Sequence, residues 1–579
     1  MRTFRLAMVQ MNPTVGDLEG NTAKILQYID DARSLGADLA AFPELAICGY
    51  PPEDLLFKPQ FIRDNRRYLD QVVAASKGIA VVVGFPHADG DLYNAAAVAY
   101  DGKLVDIYHK MYLPTYGVFD EDRYFRAGRR CPVYVINGVG VGVNICEDIW
   151  YAMGPTAVQR DAGAELIVNI NGSPYYSGKG SFRERMVAAR AQDNQLFVSY
   201  ANMVGGQDEL VFDGGSMVFD HRGELVMRGP QFQEALVVAD LDVEPVFSAR
   251  LHDPRPRKEN QETLQQIGTP VKIHVSDYQD GGTRPALPKQ EWQTLEPLAE
   301  VYSALVMGTR DYIRKSGFQK VLLGLSGGID SSFTVTVAVD ALGKENVVGV
   351  AMPSRYSSEG SILHARQVAD SLGIELRTIP IEPAHQAYLD VLEPSFRGTQ
   401  PGVAEENIQA RIRGNILMAL SNKLGWLVLS TGNKSELSVG YSTLYGDMAG
   451  GFAVLKDVPK TLVYRLAEWR NAHGTPRNVI PEEVLNKPPS PELRANQMTE
   501  EERIPYRLMD PILKAYVEDD RTFDEMVDMG FDPAQVKQVI QWVDSNEYKR
   551  RQSPPGVKIT PRNFGRDRRM PIVNRYKHF

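Results

Sequence analysis

Val321-Leu322-Leu323-Gly324-Leu325-Ser326-Gly327-Gly328-Ile329-Asp330-Ser331 runs from an apolar stretch into a glycine turn and on to a serine that opens a helical pattern. A strand that stops in Ser-Gly-Gly and restarts as a helix is a cradle for phosphate. The two glycines lack Cβ atoms, so backbone N–H groups can approach phosphate oxygens closely. The amino end of the following helix favours an anion. Asp330 is placed to hold Mg²⁺ that bridges phosphates. No lysine follows the glycines, so this is not the Walker loop G-x-x-x-x-G-K-[ST]. A chance match to its five fixed residues is expected in about one such chain in a thousand. The plainer reading is a Ser-Gly-Gly turn capped by Asp or Ser, and the flanking strand and helix weigh against it.

Around this loop the pattern is regular. A helix is predicted over Leu295–Lys315, then strand Val321–Leu325, helix Ser331–Leu342, strand Val347–Met352, helix Ser361–Leu372 and strand Glu375–Ile379. A helical stretch around Glu405–Leu424 leads into strand Trp426–Ser430. Such alternation predicts a doubly wound parallel α/β sheet with its ligand site at the carboxyl ends of the strands. Thr431-Gly432-Asn433-Lys434-Ser435-Glu436 falls at one such end. Alone it reads as an ordinary turn with an exposed Glu. Beside the upstream loop, Asp330 and Glu436 make a hard-oxygen Mg²⁺ site.

The N-terminal half is built differently. From Phe4 to about Asp242, short strands such as Phe4–Val9, Ile79–Phe85, Val139–Ile145, Leu166–Ile170 and Leu196–Tyr200 mix with helices such as Thr22–Ser34. Several strands follow one another without a helix, as in Asn94–Tyr100 then Leu104–Tyr108, which predicts mixed sheets packed between helices. Three segments each put a reactive side chain just after a strand: Phe42-Pro43-Glu44, His109-Lys110 and Asn144-Ile145-Cys146-Glu147-Asp148. A thiol titrating near ~8.5 needs a base before it attacks an amide. Glu44 can serve if a dry pocket raises its basicity, and Lys110 can hold the developing oxyanion. Each alone has a dull explanation, since a buried Cys is usually a small hydrophobe and a Glu or Lys at a strand end is usually solvated.

Bulk properties bound the rest. A chain of 579 residues exceeds what one core serves, so several domains are expected. Its 43% hydrophobic and 24% charged content is that of an ordinary globular protein, and its apolar runs are too short to span a bilayer. Three cysteines (Cys48, Cys131, Cys146) and no CxxC suit a reducing cytoplasm and argue against a thiolate metal site. A net charge of −9 argues against nucleic-acid binding. The end of the chain (Arg562, Arg566, Arg568, Arg569, Arg575, Lys577) is locally basic and reads as a solvated tail or, alternatively, an anion-binding one. Between Asp253 and Gln290 periodicity fails amid Pro254, Pro256, Pro270, Pro285, Pro288 and Asp-Gly-Gly, which predicts a linker or embracing arm. The expected division is 1–250, an arm at 251–290, and 291–579 with the basic tail.

The loop at 326–331 resembles the pyrophosphate loop of ATP pyrophosphatases, which cleave ATP to AMP and pyrophosphate. Glu44, Lys110 and Cys146 together resemble the Glu–Lys–Cys triad of the nitrilase superfamily, over roughly residues 1 to 245. That implies an αββα sandwich and C–N hydrolysis through a thioester. In its glutamine-using branch, Tyr116, Ser173 and Lys179 match glutamine-binding positions.

Nearly the whole chain resembles the glutamine-dependent NAD⁺ synthetase family, including Tyr441–Phe452, Leu455–Thr461, Lys487-Pro488-Pro489-Ser490, Asn546–Arg551 and Pro554–Lys558. The resemblance implies that ATP adenylates deamido-NAD⁺ with Mg²⁺ present, and that ammonia from L-glutamine then displaces AMP. It implies that Gly324 to Ser331, Thr431 and Lys460 contact ATP. Asn407, Glu436 and Lys549 lie on the deamido-NAD⁺ side, with Glu436 shared with the metal. Leu444 stands where ammonia-only relatives carry a dinucleotide-contacting Lys, so that contact is absent or supplied elsewhere, by Lys549 or the basic tail. Because NH₄⁺ is no nucleophile, the chemistry predicts a closed route for ammonia, and the resemblance implies a homo-oligomer. Rival readings are a GMP-synthetase-like amidotransferase, a tRNA-modifying pyrophosphatase and a nucleotide sensor with dead sites. The nitrilase-type half, the negative charge and the presence of Cys146, Asp330 and Glu436 weigh against them in turn.

Overall fold

Phe4, Leu6 and Met8 alternate along the strand Thr3–Gln10 and are fully buried on one face of it. In the computed structural model, which describes residues 2–253, 261–279, 284–494, 497 and 503–579, this strand (β1) belongs to the first of two large sheets. The chain forms two compact units, Met1–Gln207 with Val211–Leu295, and Asp208–Leu210 with Glu296–Phe579.

In the first unit, the sheet containing β1 has Leu39–Ala41 (β2), Ala80–Ala88 (β3), Leu92–Tyr100 (β4), Lys103–His109 (β5) and Ala235–Asp242 (β14), ordered β14-β1-β2-β3-β4-β5. The second sheet has Arg130–Ile136 (β6), Val139–Ile145 (β7), Leu166–Asn171 (β8), Phe197–Asn202 (β9), Met217–Phe219 (β12), Leu225–Arg228 (β13) and Thr269–His274 (β15), ordered β13-β12-β9-β8-β7-β6-β15. A hairpin, Val204–Gln207 (β10) with Leu210–Asp213 (β11), stands apart. Leu6, Met8, Val82 and Val98 from one sheet meet Val141, Val143, Val168 and Ile170 from the other in a single core. Burying each such side chain stabilises the fold by about 1.5–3 kcal/mol. The outer face of the second sheet (Ile167, Val198, Tyr200) is covered by Met186, Val187 and Ala191 of the helix Lys179–Asn194. Helices lie outside and sheets inside, the αββα arrangement.

The arm is more ordered than its prolines predict. Thr269–His274 pairs in parallel with β6, from Thr269 beside Arg130 to His274 beside Val135, and extends the second sheet. Val271 and Ile273 are half-buried while Lys272 and His274 face solvent, the alternation of an edge strand. Pro270 is tolerated at such an edge. Arg284 pairs with Asp38, and Gln290 bonds the Leu236 carbonyl, so 284–290 is tied to the first unit. Pro254, Pro256 and the Asp-Gly-Gly at 280–282 lie outside the described residues.

The second unit carries the parallel sheet. Val321–Gly324 (β16), Val347–Ala351 (β17), Glu375–Thr378 (β18), Leu427–Ser430 (β19) and Phe452–Ala453 (β20) are ordered β18-β17-β16-β19-β20, with every neighbouring pair parallel. The first helix begins two residues later than periodicity indicates, at Pro297, while Ile329–Leu342 and Glu359–Leu372 each begin two residues earlier. Pro297 opens Pro297–Lys315, where its missing N–H costs nothing, and Ser358 caps Glu359–Leu372. The strand order reverses between β16 and β19, and both phosphate-loop candidates follow these two strands. Within the basic end, Arg566, Arg569, Arg575 and Lys577 are exposed, as a solvated tail predicts, but Arg568 is not. Arg568 is buried against Asp544, and Lys558 pairs with Asp567.

Candidate active sites

Glu44 follows β2, Lys110 follows β5 and Cys146 follows β7, so two sheets deliver three side chains to one end of the sandwich. All three are buried. Lys110 Nζ donates to Glu44 Oε1 at 2.7 Å. It also donates to both oxygens of Glu121, at 2.9 and 2.8 Å. Asn94 Nδ2 donates to Glu44 Oε1 at 2.7 Å, and the Gly172 N–H to Glu44 Oε2 at 2.8 Å, which fixes both carboxylate oxygens. Glu121, from the short helical turn Glu121–Arg123, also accepts from the Tyr50 hydroxyl. It lies in a loop with no periodicity, so nothing in the sequence singled it out.

Burial sets the protonation states. Burial and the neighbouring Glu44 push the Cys146 thiol well above its usual range, against the pull of Lys110. The resting sulfur is therefore neutral and needs a base. Burial opposes the charge on Lys110, but Glu121 and Glu44 more than compensate and hold it protonated. Glu121 is raised to about 7, chiefly by burial and then by Glu44, with Lys110 pulling the other way.

Cys146 has φ 44°, the left-handed region that side chains rarely adopt. Asp148 holds this turn. Its carboxylate accepts from the Ile145 N–H at 2.9 Å and from the Met111 and Tyr112 N–H groups at 3.0 Å each. It also accepts from the Tyr108 hydroxyl at 2.7 Å. One buried carboxylate thus ties the nucleophile's turn to the segment that carries Lys110. Its role was hidden inside a quoted motif.

Of the glutamine-site expectations, Tyr116 reaches Glu147, the residue after Cys146, with its hydroxyl. Ser173 is buried and its N–H donates to Asn202. Lys179 opens the helix Lys179–Asn194 and donates to the Pro174 carbonyl at 2.7 Å. Arg183, fully buried and paired with Asp213, donates to the Ser173 and Pro174 carbonyls and fixes this loop.

The second unit contains a cleft of about 340 Å³ lined by Gly324, Leu325, Ser326, Gly328, Ile329, Asp330, Ser331, Thr431, Glu436 and Lys460. Gly327 stands behind this lining. With φ +79° it could carry no Cβ, which would meet the Ser361 carbonyl oxygen at 2.1 Å. Ser331 Oγ accepts from the Ser326 N–H at 3.2 Å and donates to the Gly328 carbonyl at 3.0 Å, tightening the loop.

Asn433 links the two strand ends. Its Nδ2 donates to Asp330 and its Oδ1 accepts from the Glu436 N–H. Lys460 ion-pairs with Asp330, and lies 3.5 Å from Glu436. Burial lifts the Glu436 carboxyl to about 7, with Lys460 opposing. No cluster of three or more metal-ligating side chains occurs among the described residues. Two carboxylates beside a phosphate cradle could supply hard oxygen ligands to a divalent cation.

Asn407 and Lys549 do not line this cleft. They hold the loop at its edge: Asn407 accepts from the Thr443 hydroxyl, and Lys549 donates to the Gly440 and Ser442 carbonyls. The Leu444 carbonyl accepts from Arg411. Arg413 and Lys487 also line the cleft and were not foreseen as site residues.

Known proteins match both halves. Residues 5–250 fit the carbon-nitrogen hydrolase family model and residues 301–553 the NAD synthase model. The glutamine-dependent NAD(+) synthetase of Thermotoga maritima is 47% identical, over 100% of both chains. The chain belongs to the glutamine-dependent NAD(+) synthetase family. A second member of that family, from Aquifex aeolicus, is 47% identical over 99% of this chain and 100% of its own. The structure of the Acinetobacter baumannii glutamine-dependent NAD⁺ synthetase, in complex with ADP, superposes with a TM-score of 0.73 at 40% identity, covering 100% of each chain. Members of the glutamine-dependent NAD(+) synthetase family thus share this chain's two-part build from end to end.

Proposed function

We propose that the chain makes NAD⁺ from deamido-NAD⁺, with ATP and L-glutamine consumed and AMP, pyrophosphate and L-glutamate released. The observation that carries this reading is that each compact unit contains its own complete constellation: Glu44–Lys110–Cys146 in one, and the 324–331 loop facing Asp330, Glu436 and Lys460 in the other.

In the first unit, Cys146 Sγ bonds to the side-chain carbonyl carbon of glutamine as the C–N bond breaks. The thiol proton passes through Glu44 to the leaving nitrogen, and ammonia departs. Lys110 faces the developing oxyanion. Water then attacks the thioester, gives its proton to Glu44, and the sulfur leaves with that proton as glutamate is freed. Tyr116, Ser173 and Lys179 hold the substrate.

In the second unit, the 324–331 backbone, Thr431 and Lys460 hold ATP, while Asn407, Glu436 and Lys549 serve the deamido-NAD⁺ side. The carboxylate oxygen of deamido-NAD⁺ attacks the α-phosphorus and the bond to pyrophosphate breaks. Ammonia then attacks the acyl carbon and AMP leaves. Asp330 and Glu436 would hold Mg²⁺, which neutralises phosphate charge when bound. Neutral ammonia must reach the acyl-adenylate before it is protonated, so we assign a closed route and a homo-oligomeric enzyme. We place the enzyme in the cytoplasm, in keeping with its three unpaired cysteines.

The test is direct. Purified chain with ATP, Mg²⁺, glutamine and deamido-NAD⁺ should yield NAD⁺ and AMP. ADP as the nucleotide product refutes the reading. Cys146→Ala should abolish glutamine-dependent synthesis and spare synthesis from ammonium, and loss of both would refute the division into two sites.

A further inference from the structure

The helix Lys460–His473 opens directly on the lysine that the reading above places on ATP. Pro459, which precedes it, makes no side-chain cap, so the first turn needs its partners from elsewhere. The Lys460 N–H donates to Ser435 Oγ at 2.8 Å. The Thr461 N–H and hydroxyl both donate to Asp510 Oδ2, at 3.0 and 2.7 Å. Ser435 Oγ in turn donates to Asp510 Oδ1 at 2.6 Å, so one carboxylate fixes the helix start with both its oxygens. Ser435 and Asp510 are buried, and neither lines the cleft. Ser435 is also the neighbour of Glu436 in the chain, and Lys460 Nζ pairs with Asp330 and lies 3.5 Å from Glu436. Its hydroxyl thus sets the register between two charged side chains of the cleft. Asp510 comes from the helix Tyr506–Leu513, and Tyr506, one turn earlier, faces the same charges. The Tyr506 ring centre lies 5.6 Å from Lys460 Nζ, and its hydroxyl 3.5 Å from Glu436 Oε1.

We propose that Asp510, acting through Ser435, is a positioning residue for the ATP-dependent step and aims the Lys460 ammonium at phosphate. This rests on the reading that Lys460 holds ATP. A lysine carries its charge on a flexible stem, so the charge is well placed only if the root of that stem is fixed. Displacing a working group by about 1 Å costs about 10²-fold in rate. Were these bonds only a helix cap, their loss would lower stability and act independently of the Lys460 side chain.

The experiment is a double-mutant cycle between Asp510→Asn and Lys460→Met, read in ammonium-dependent synthesis at varied ATP with the full chain. With Lys460 in place, Asp510→Asn should lower kcat/KM for ATP about tenfold or more and leave KM for ammonium unchanged. In the Lys460→Met background the same substitution should change kcat/KM for ATP less than about threefold. Ser435→Ala removes only the hydroxyl between Asp510 and the Lys460 N–H, and should repeat both results. It carries the cycle alone if thermal unfolding shows that Asp510→Asn does not fold. Losses that multiply across the cycle, or full activity in a folded single variant at 435 or 510, overturn the proposal. If the unmodified chain makes no NAD⁺, or Lys460→Met leaves kcat/KM for ATP unchanged, the reading of Lys460 itself is wrong and the inference falls with it.

Discussion

Lys110 Nζ stands 2.7 Å from Glu44 Oε1, with neither side chain exposed to solvent. One ammonium serves two buried carboxylates, since Glu121 lies 2.8 Å away on the other side. The two partners of such a pair are not equivalent. Lys110→Met would strand both acids, and we expect a loss of about 3–5 kcal/mol from the first unit. Glu44→Gln leaves Lys110 paired with Glu121 and should cost far less. Both variants should lose glutamine hydrolysis by about 10²–10⁴-fold. Urea unfolding beside glutaminase kinetics separates the two effects, and equal stability would mean the pair is not the keystone described.

Glu121 also gives the fold a pH dependence with a definite sign. Its carboxyl sits at about 7, raised from 4.5 mainly by burial. The folded chain therefore holds a proton that the unfolded chain has released between these values. That contribution is complete below about pH 4.5 and is lost as pH rises through about 7. Relative to Glu121→Gln, the unmodified chain should lose up to about 3 kcal/mol between pH 5 and 8. Urea midpoints at four pH values check this. Parallel curves for the two chains would exclude Glu121 as the titrating group.

Asp148 touches no predicted substrate, yet it accepts four hydrogen bonds across two loops. Asp148→Asn keeps the shape but turns one acceptor into a donor facing N–H groups. We expect about 2–4 kcal/mol of destabilisation. Glutamine turnover should fall about 10–100-fold, with KM nearly unchanged, because Cys146 and Lys110 lose their common anchor. A rise in KM with intact turnover would instead make Asp148 a substrate contact.

What the sequence disclosed follows the physics of strand ends. The grouping of Glu44 with Lys110 and Cys146, and of Asp330 with Glu436, was legible because each closely follows an apolar strand, and a parallel or mixed sheet gathers such ends. Glu121 was not, since its turn has no period and its partner Lys110 is 11 residues away through a loop. The edge strand Thr269–His274 was masked by Gly268 and Pro270, although its half-buried Val271 and Ile273 carried the alternation. Most of the basic end is solvated as its composition predicts, but composition does not reveal that Arg568 is buried against Asp544. Pairing across 24 positions is invisible to a local reading.

The two glycines of the phosphate loop should fail in different ways. Gly327 has φ +79°, and a Cβ there would sit 2.1 Å from the Ser361 carbonyl oxygen. Neither strain nor contact can be relieved without moving backbone, so Gly327→Ala should destabilise the second unit by about 2–4 kcal/mol. Gly328 has an ordinary φ of −88°, and a Cβ would meet only Ser326 Oγ at 3.5 Å. It lines the cleft, however, and a methyl group there would keep phosphate oxygens from the backbone N–H groups. Gly328→Ala should therefore unfold like the unmodified chain but raise KM for ATP about tenfold or more in ammonium-dependent synthesis. Thermal unfolding and ATP titrations of both variants decide the matter. If Gly328→Ala bound ATP normally, the loop would not cradle phosphate through its backbone at that residue.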